Sequence, residues 1–270
     1  MTKNILLFIV LFSIVSCETV VDVDLSTAPE RLVIDANIDW EKGTSGNIQT
    51  VILSKTTGYY QSVIPKVSGA TVFITNNTGN VFDFTYESNG KYICNNFLPE
   101  LGKTYTLTVI VEGKTYTATE SLLPTPDITD IEQENDLGLN NDEVGLRINF
   151  IDIPNQDNYY LLRTDSSINL FPYFQVLDDQ FSQGNTVSGL YSDPDLISGN
   201  NINFKLYNVS LRYYNYMKLI ITASDGSNNG PFQMIPTIAR GNIINQTNPD
   251  DFALGYFRIS ETDTNVYVVE

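Results

Sequence analysis

From Leu32 to Ile38 the chain alternates. Leu32, Ile34, Ala36 and Ile38 fall on one side, and Val33, Asp35 and Asn37 on the other. That two-residue period is the mark of a half-buried strand. The same period predicts strands at Thr50–Lys55, Thr71–Thr75, Val81–Glu87, Lys91–Cys94, Thr104–Glu112 and Thr115–Ser121. Phe82, Phe84 and Tyr86 share one face of the fourth of these. Asn89-Gly90 fits a type I′ hairpin, because both residues tolerate positive φ, and Glu112-Gly113 marks a second tight turn. Short strands with turn signals between them predict a β-sandwich over residues 31–123, and the pattern is similar to immunoglobulin-type or carboxypeptidase-regulatory-type β-domains. Such a pattern specifies packing and carries no chemistry.

Leu123-Pro124-Thr125-Pro126-Asp127 is the best domain boundary, since two prolines in three residues stiffen the chain and block strand pairing. Residues 124–270 read as a second β-rich domain. Val144, Leu146, Ile148 and Phe150 alternate cleanly, and Asn158–Thr164, Asn201–Tyr207, Phe257–Ile259 and Val266–Val269 fit further strands. Ser210 can cap a helix over Leu211–Ala223, with Leu211, Tyr214, Met217 and Ile221 on one face. The β-branched Ile220, Ile221 and Thr222 keep a strand through Met217–Ala223 open as the rival, and the helix is the reading preferred. Asp225–Asp251, rich in Gly, Asn and Pro, is expected to form ordered loops. The fold class is therefore mainly β, with two β-sandwich-like domains and one helix in the second.

The N-terminus changes the picture from fold to compartment. Met1-Thr2-Lys3 precedes an apolar run from Ile5 to Val15, then Ser16-Cys17. The run is too short to span a bilayer and reads as a signal peptide over residues 1–16. Ile14-Val15-Ser16-Cys17 is similar to a bacterial lipobox, which implies cleavage before Cys17 and acylation of its thiol, with palmitate-type chains. Each buried methylene contributes about 0.8 kcal/mol, so two or three acyl chains anchor a protein durably. Residues 17–30 then form a tether. No later stretch approaches the roughly 18 uncharged apolar residues of a membrane helix.

The net charge of -17 favours solubility and opposes binding to nucleic acid or an anionic membrane. Loss of Lys3 with the signal adds one more negative unit. With Cys17 acylated, Cys94 is left single, so no disulfide framework is expected, and its strand-like setting predicts a buried, inert thiol. The chain has no histidine. That removes Ser-His-Asp and Cys-His catalysis and every histidine-ligated metal site. Carboxylates cluster at Asp178-Asp179, Asp193/Asp195, Asp250-Asp251 and Asp136–Glu143, but neighbouring side chains diverge and do not face each other across a sugar. They read as solvated loop charge. Asp225–Gly230 and Asn140–Glu143 lack the ligand pattern of a calcium loop and read as turns. The pairs Tyr59-Tyr60, Tyr159-Tyr160 and Tyr213-Tyr214 would each expose one ring on a strand, although β-propensity alone explains them. No catalytic residue, cofactor or metal is expected; the one site residue is Cys17, for lipidation.

Ordered C-terminal elements carry a family resemblance: Gly230-Pro231-Phe232, Pro236, Gly241-Asn242-Ile243, Asn248-Pro249 and Ala253-Leu254-Gly255-Tyr256-Phe257. With the opening Cys17–Leu25 and the strand Leu32–Ile38, the chain resembles the Bacteroidota lipoprotein family called domain of unknown function forty-two forty-nine. The resemblance covers essentially the whole chain after the signal. It implies an outer-membrane lipoprotein, often encoded beside a TonB-dependent receptor-type β-barrel, and the acidic residues after Cys17 favour a surface-exposed over a periplasmic body. It carries over no catalytic residues. The expected function is a non-enzymatic partner that binds or caps the barrel, in nutrient capture or envelope assembly. A surface glycan- or peptide-binding adhesin and a histidine-free carboxylate hydrolase are the alternatives.

Overall fold

A computed structural model describes residues 29–58, 60–137, 143–224 and 238–270. The signal, Cys17 and residues 18–28 lie outside the described residues, as do Tyr59, Asn140–Asp142, Asp225–Gly230, Pro231-Phe232 and Pro236.

The protein is mainly β. The N-terminal body holds β1 (Leu32–Glu41), β2 (Gln49–Lys55), β3 (Thr71–Asn76), β4 (Val81–Ser88), β5 (Lys91–Cys94), β6 (Thr104–Val111) and β7 (Lys114–Ser121). The C-terminal body adds β8 (Ile128–Leu137), β9 (Glu143–Ile151), β10 (Tyr159–Ser166), β11 (Tyr173–Asp178), β12 (Thr186–Ser192), β13 (Asn201–Val209) and α1 (Leu211–Ser224). Two further strands follow, β14 (Ile244–Asn245) and β15 (Leu254–Val268).

Strand β4 folds the first body into a sandwich. Its first half pairs with β3, and from Thr85 onward it pairs with β5 across a register shift between Tyr86 and Ser88. One strand thus turns the corner between two sheets. Phe82 and Phe84 are buried on the inner face, whereas Tyr86, past the corner, is exposed and meets Tyr92 edge-on at 5.3 Å. Asn89 and Gly90 both have positive φ, as do Glu112 and Gly113, so both predicted tight turns are present.

Strand β15 joins the bodies. Leu254–Thr262 runs parallel to β1, and Thr262–Val268 runs antiparallel to β13. Its 15 residues at about 3.3 Å each make a spine of roughly 50 Å. Phe257, Ile259, Ile243 and Ala253 lie in the core of the N-terminal body, which therefore draws on residues well beyond 123. The expectation of two separate strands, Phe257–Ile259 and Val266–Val269, is corrected to one. The polar run between them does not break the strand because its groups have partners at the junction. Thr125 donates its N–H to the Glu261 carboxylate (2.9 Å) and its hydroxyl to the Glu261 carbonyl (2.7 Å), and Ile128 N–H donates to Asp263 (2.8 Å). Asn208 N–H donates to the Thr125 hydroxyl, and its side chain to the Pro124 carbonyl. The proline-flanked boundary is a buried latch.

In the second body, β8, β9 and β12 form a three-stranded sheet facing β11, β10, β13 and the end of β15. Tyr160 and Leu162 point into this sandwich, while Leu161 points out beneath α1. Cover on both faces explains the unbroken apolar run Tyr159–Leu162. The preferred helix is present: Ser210 Oγ accepts from Tyr213 N–H at 3.2 Å, an N-cap. Its buried face is Tyr213, Tyr214 and Met217, so Leu211, expected inside, is exposed.

Candidate functional site

The carboxylate clusters close loops. Asp179 is buried and accepts the Asn158 backbone N–H at 2.8 Å, so for this residue the solvated-loop reading is corrected. Its neighbour Asp178 diverges to accept the Tyr214 hydroxyl at 2.8 Å; burial first, and Asp178 second, push that hydroxyl up to about 12. Asp193 accepts from Asn169 (2.7 Å) and from Asp195 N–H (3.0 Å), and Asp251 pairs with Lys114 at 2.6 Å. Among the described residues no group of three or more Cys, Asp and Glu is placed to hold a metal ion. Burial raises the Cys94 thiol, which fits an inert core cysteine. Of the tyrosine pairs, Tyr60 is exposed as expected, whereas Tyr160, Tyr213 and Tyr214 are buried, the last two because a helix does not alternate its faces as a strand does.

Two polar centres flank the point where Tyr213 and Tyr216 of α1 meet Tyr256 of β15. In the first, buried Arg258 donates to Asp39 at 2.5 Å and packs on the rings of Tyr207 (4.5 Å) and Tyr213 (5.4 Å). Burial works against the guanidinium charge, yet Asp39 holds it above its usual range. In the second, Glu120 Oε1 accepts from Tyr256 OH (2.8 Å), Asn242 Nδ2 (3.1 Å) and Ser210 Oγ (3.2 Å). Burial raises this carboxyl above the usual range, against the pull of those three donors. A raised folded-state value means the folded protein binds the extra proton. The stabilisation it gives is present at low pH and is lost as pH rises through the folded value. Glu120→Gln keeps an Oε1 acceptor and removes the charge. It is expected to be more stable than the parent at neutral pH, with the gap closing on acidification; denaturant midpoints measured across pH check this.

The surface feature is at the far end of the second body. Asn169, in the β10–β11 loop, donates to Asp193 in the β12–β13 loop and to the Tyr191 hydroxyl (3.2 Å), which ties the two loops together. On them Leu170 is 89% exposed, Phe171 78% and Ile197 65%. Tyr173, also exposed, meets the Tyr191 ring at a tilt, with centroids 5.7 Å apart. Large apolar side chains gathered on adjoining loops mark an interaction surface rather than scattered surface hydrophobics. Sequence reasoning did not find them, since periodicity reports what is buried; the one signal was the apolar pair before Pro172.

Residues 18–265 match the family described as Domain of unknown function (DUF4249). The chain belongs to that family. Within this DUF4249 protein the motifs Gly241–Ile243 and Ala253–Phe257 pack on each other. Asn242 donates to the Phe257 carbonyl (2.8 Å) and accepts its N–H (2.9 Å), and Gly241 lies against the Gly255 carbonyl. Tyr256 points to Glu120 on the outer face, and Phe257 fills the core. Comparison with curated proteins returns no match. Among solved structures, a two-domain fibronectin type III segment of chicken tenascin is 14% identical, covering 59% of this chain and 83% of its own, with a TM-score of 0.22. A DUF4785 family protein from Legionella pneumophila is 9% identical, covering 66% and 51%, with a TM-score of 0.26.

Proposed function

We propose that this DUF4249 protein is a non-enzymatic, lipid-anchored accessory protein of the outer membrane. Acylated Cys17 holds it, and its distal loops engage the extramembrane part of a TonB-dependent receptor-type barrel, in nutrient capture or envelope assembly. The observation that supports the reading is the apolar loop pair at Leu170, Phe171 and Ile197, at the end of the molecule remote from the tether. The tether, residues 17–30, ends beside the start of β1, whereas these loops flank the end of β15. A fixed N-terminus and an apolar far end suit a protein that reaches for a partner. A few residues at the centre of such contacts, aromatic ones prominent among them, carry most of the binding energy.

The test is a tagged, full-length chain purified from mildly solubilised membranes with a photo-crosslinking residue in place of Phe171. A crosslink to a heat-modifiable β-barrel protein is expected. Leu170→Ser with Phe171→Ser should lower barrel recovery about tenfold or more, with the thermal midpoint unchanged. Repeated recovery of no barrel overturns the proposal.

A further inference from the structure

The tether end of the N-terminal body has a surface of its own. Arg31 exchanges hydrogen bonds with Thr56, both at 2.9 Å, and Lys55 N–H donates to the Pro65 carbonyl at 2.9 Å. Both feet of the β2–β3 loop therefore stand beside the residue where the tether enters the fold. Between them Val63 is 74% exposed and Ile64 is exposed as well. Cations gather around this loop. Lys66 is exposed at its C-terminal foot, next to the β4–β5 hairpin that carries Lys91. Arg31 and Arg240 clasp the Phe252 ring, with guanidinium carbons 3.8 and 3.7 Å from its centroid. Lys55 pairs with Glu112, Lys91 with Glu87 and Lys114 with Asp251, so these charges cancel locally. This end is close to neutral in a chain of net charge -17.

We propose that this end rests on the lipid bilayer, with Val63 and Ile64 dipping into the headgroup boundary and the near-neutral rim over it. The proposal rests on the reading of Cys17 as an acylated anchor, and three observations commit it to lipid. Residues 17–28 span at most about 42 Å when fully extended, and they end at this surface. An acyl chain at Cys17 therefore keeps the loop close to the membrane, where local concentration is high. The acidic remainder of the body is repelled from an anionic leaflet within a Debye length, which leaves the near-neutral end to face it. The loop also has the composition of an interfacial contact, apolar at its crest with lysine at its flank. This stance holds Leu170 and Phe171 far from the bilayer, at the height of a barrel's extramembrane loops.

The test does not depend on native acylation. The chain from residue 17 onward, with Cys17→Ser and an N-terminal hexahistidine, is held on nickel-chelating vesicles that contain phosphatidylglycerol. Cys94 is buried, so a fluorophore attaches only at an introduced Ser62→Cys or, as control, Ile197→Cys. Nitroxide lipids are expected to quench the probe at residue 62 at least about threefold more than at residue 197, and Val63→Asp with Ile64→Asp to abolish the difference. Equal quenching at both positions overturns the proposal. So does a shift at residue 62 that follows protein concentration without vesicles, which would assign the loop to a second copy of the chain. Labelling of the native chain with a palmitate analogue is read separately. An unlabelled Cys17 sinks the anchor reading, while the vesicle result still decides whether the loop docks.

Discussion

Replacing Gly255 with alanine is expected to destabilise the protein by about 4 kcal/mol or more, at the upper limit for single substitutions. Gly255 has φ +94°, where any Cβ is strained, and a Cβ there would drive into the Ile34 carbonyl on the neighbouring strand. That carbonyl belongs to the parallel pairing of β1 with β15, so it cannot retreat without opening the seam that joins the ends of the chain. At 2–4 °C per kcal/mol for a chain of this size, the thermal midpoint should fall by roughly 10 °C. Gly79→Ala is the control, because it carries a similar φ (+91°) but meets open space. It should lose only about 1 kcal/mol. Equal losses for the two variants would show that backbone strain, not the seam, sets the effect.

Arg258→Ala is the second large loss. It removes a buried guanidinium, its bond to Asp39 and its packing on Tyr207 and Tyr213 together. Breaking a buried pair by deleting one partner costs about 3–5 kcal/mol. Asp39 retains contact with water, so the orphaned carboxylate is partly hydrated and about 3 kcal/mol is the expected loss. Because the pair is shielded by rings, moderate salt should change the figure little. Adding Asp39→Asn to Arg258→Ala should cost less than the sum of the two singles, by about 1 kcal/mol or more. Strict additivity in denaturant melts would mean that Arg258 acts through its packing alone.

The N-terminal body was legible because nearly all its strands bury one face, and a one-sided burden writes itself as alternation. The predicted strand Lys91–Cys94 matches in full, and the others differ by three residues or fewer at an end. The second body was harder for identifiable reasons. β8 reads Ile-Thr-Asp-Ile-Glu-Gln-Glu-Asn-Asp-Leu, and only Ile128 is fully buried, so little apolar period survives. β15 looked broken at Ser260–Asn265, because a lone sequence cannot show that Thr125 and Ile128 would take up its polar groups. Arg258 offered a clue, a single cation between Phe257 and Ile259 that had to find a partner. The exposed loops at Leu170 and Ile197 offered almost none.

The shared spine has a consequence for the order of events in folding. β15 holds the last described strand residues of the chain, yet it supplies Phe257 and Ile259 to one core and adjoins Val269 in the other. A nascent chain that stops short of residue 254 can close neither sandwich. The N-terminal body, although synthesised first, has to wait for the C-terminus, and contacts of such long sequence separation form slowly. Completion is therefore a single late event that finishes both bodies at once, and a chain still being made stays open until β15 arrives.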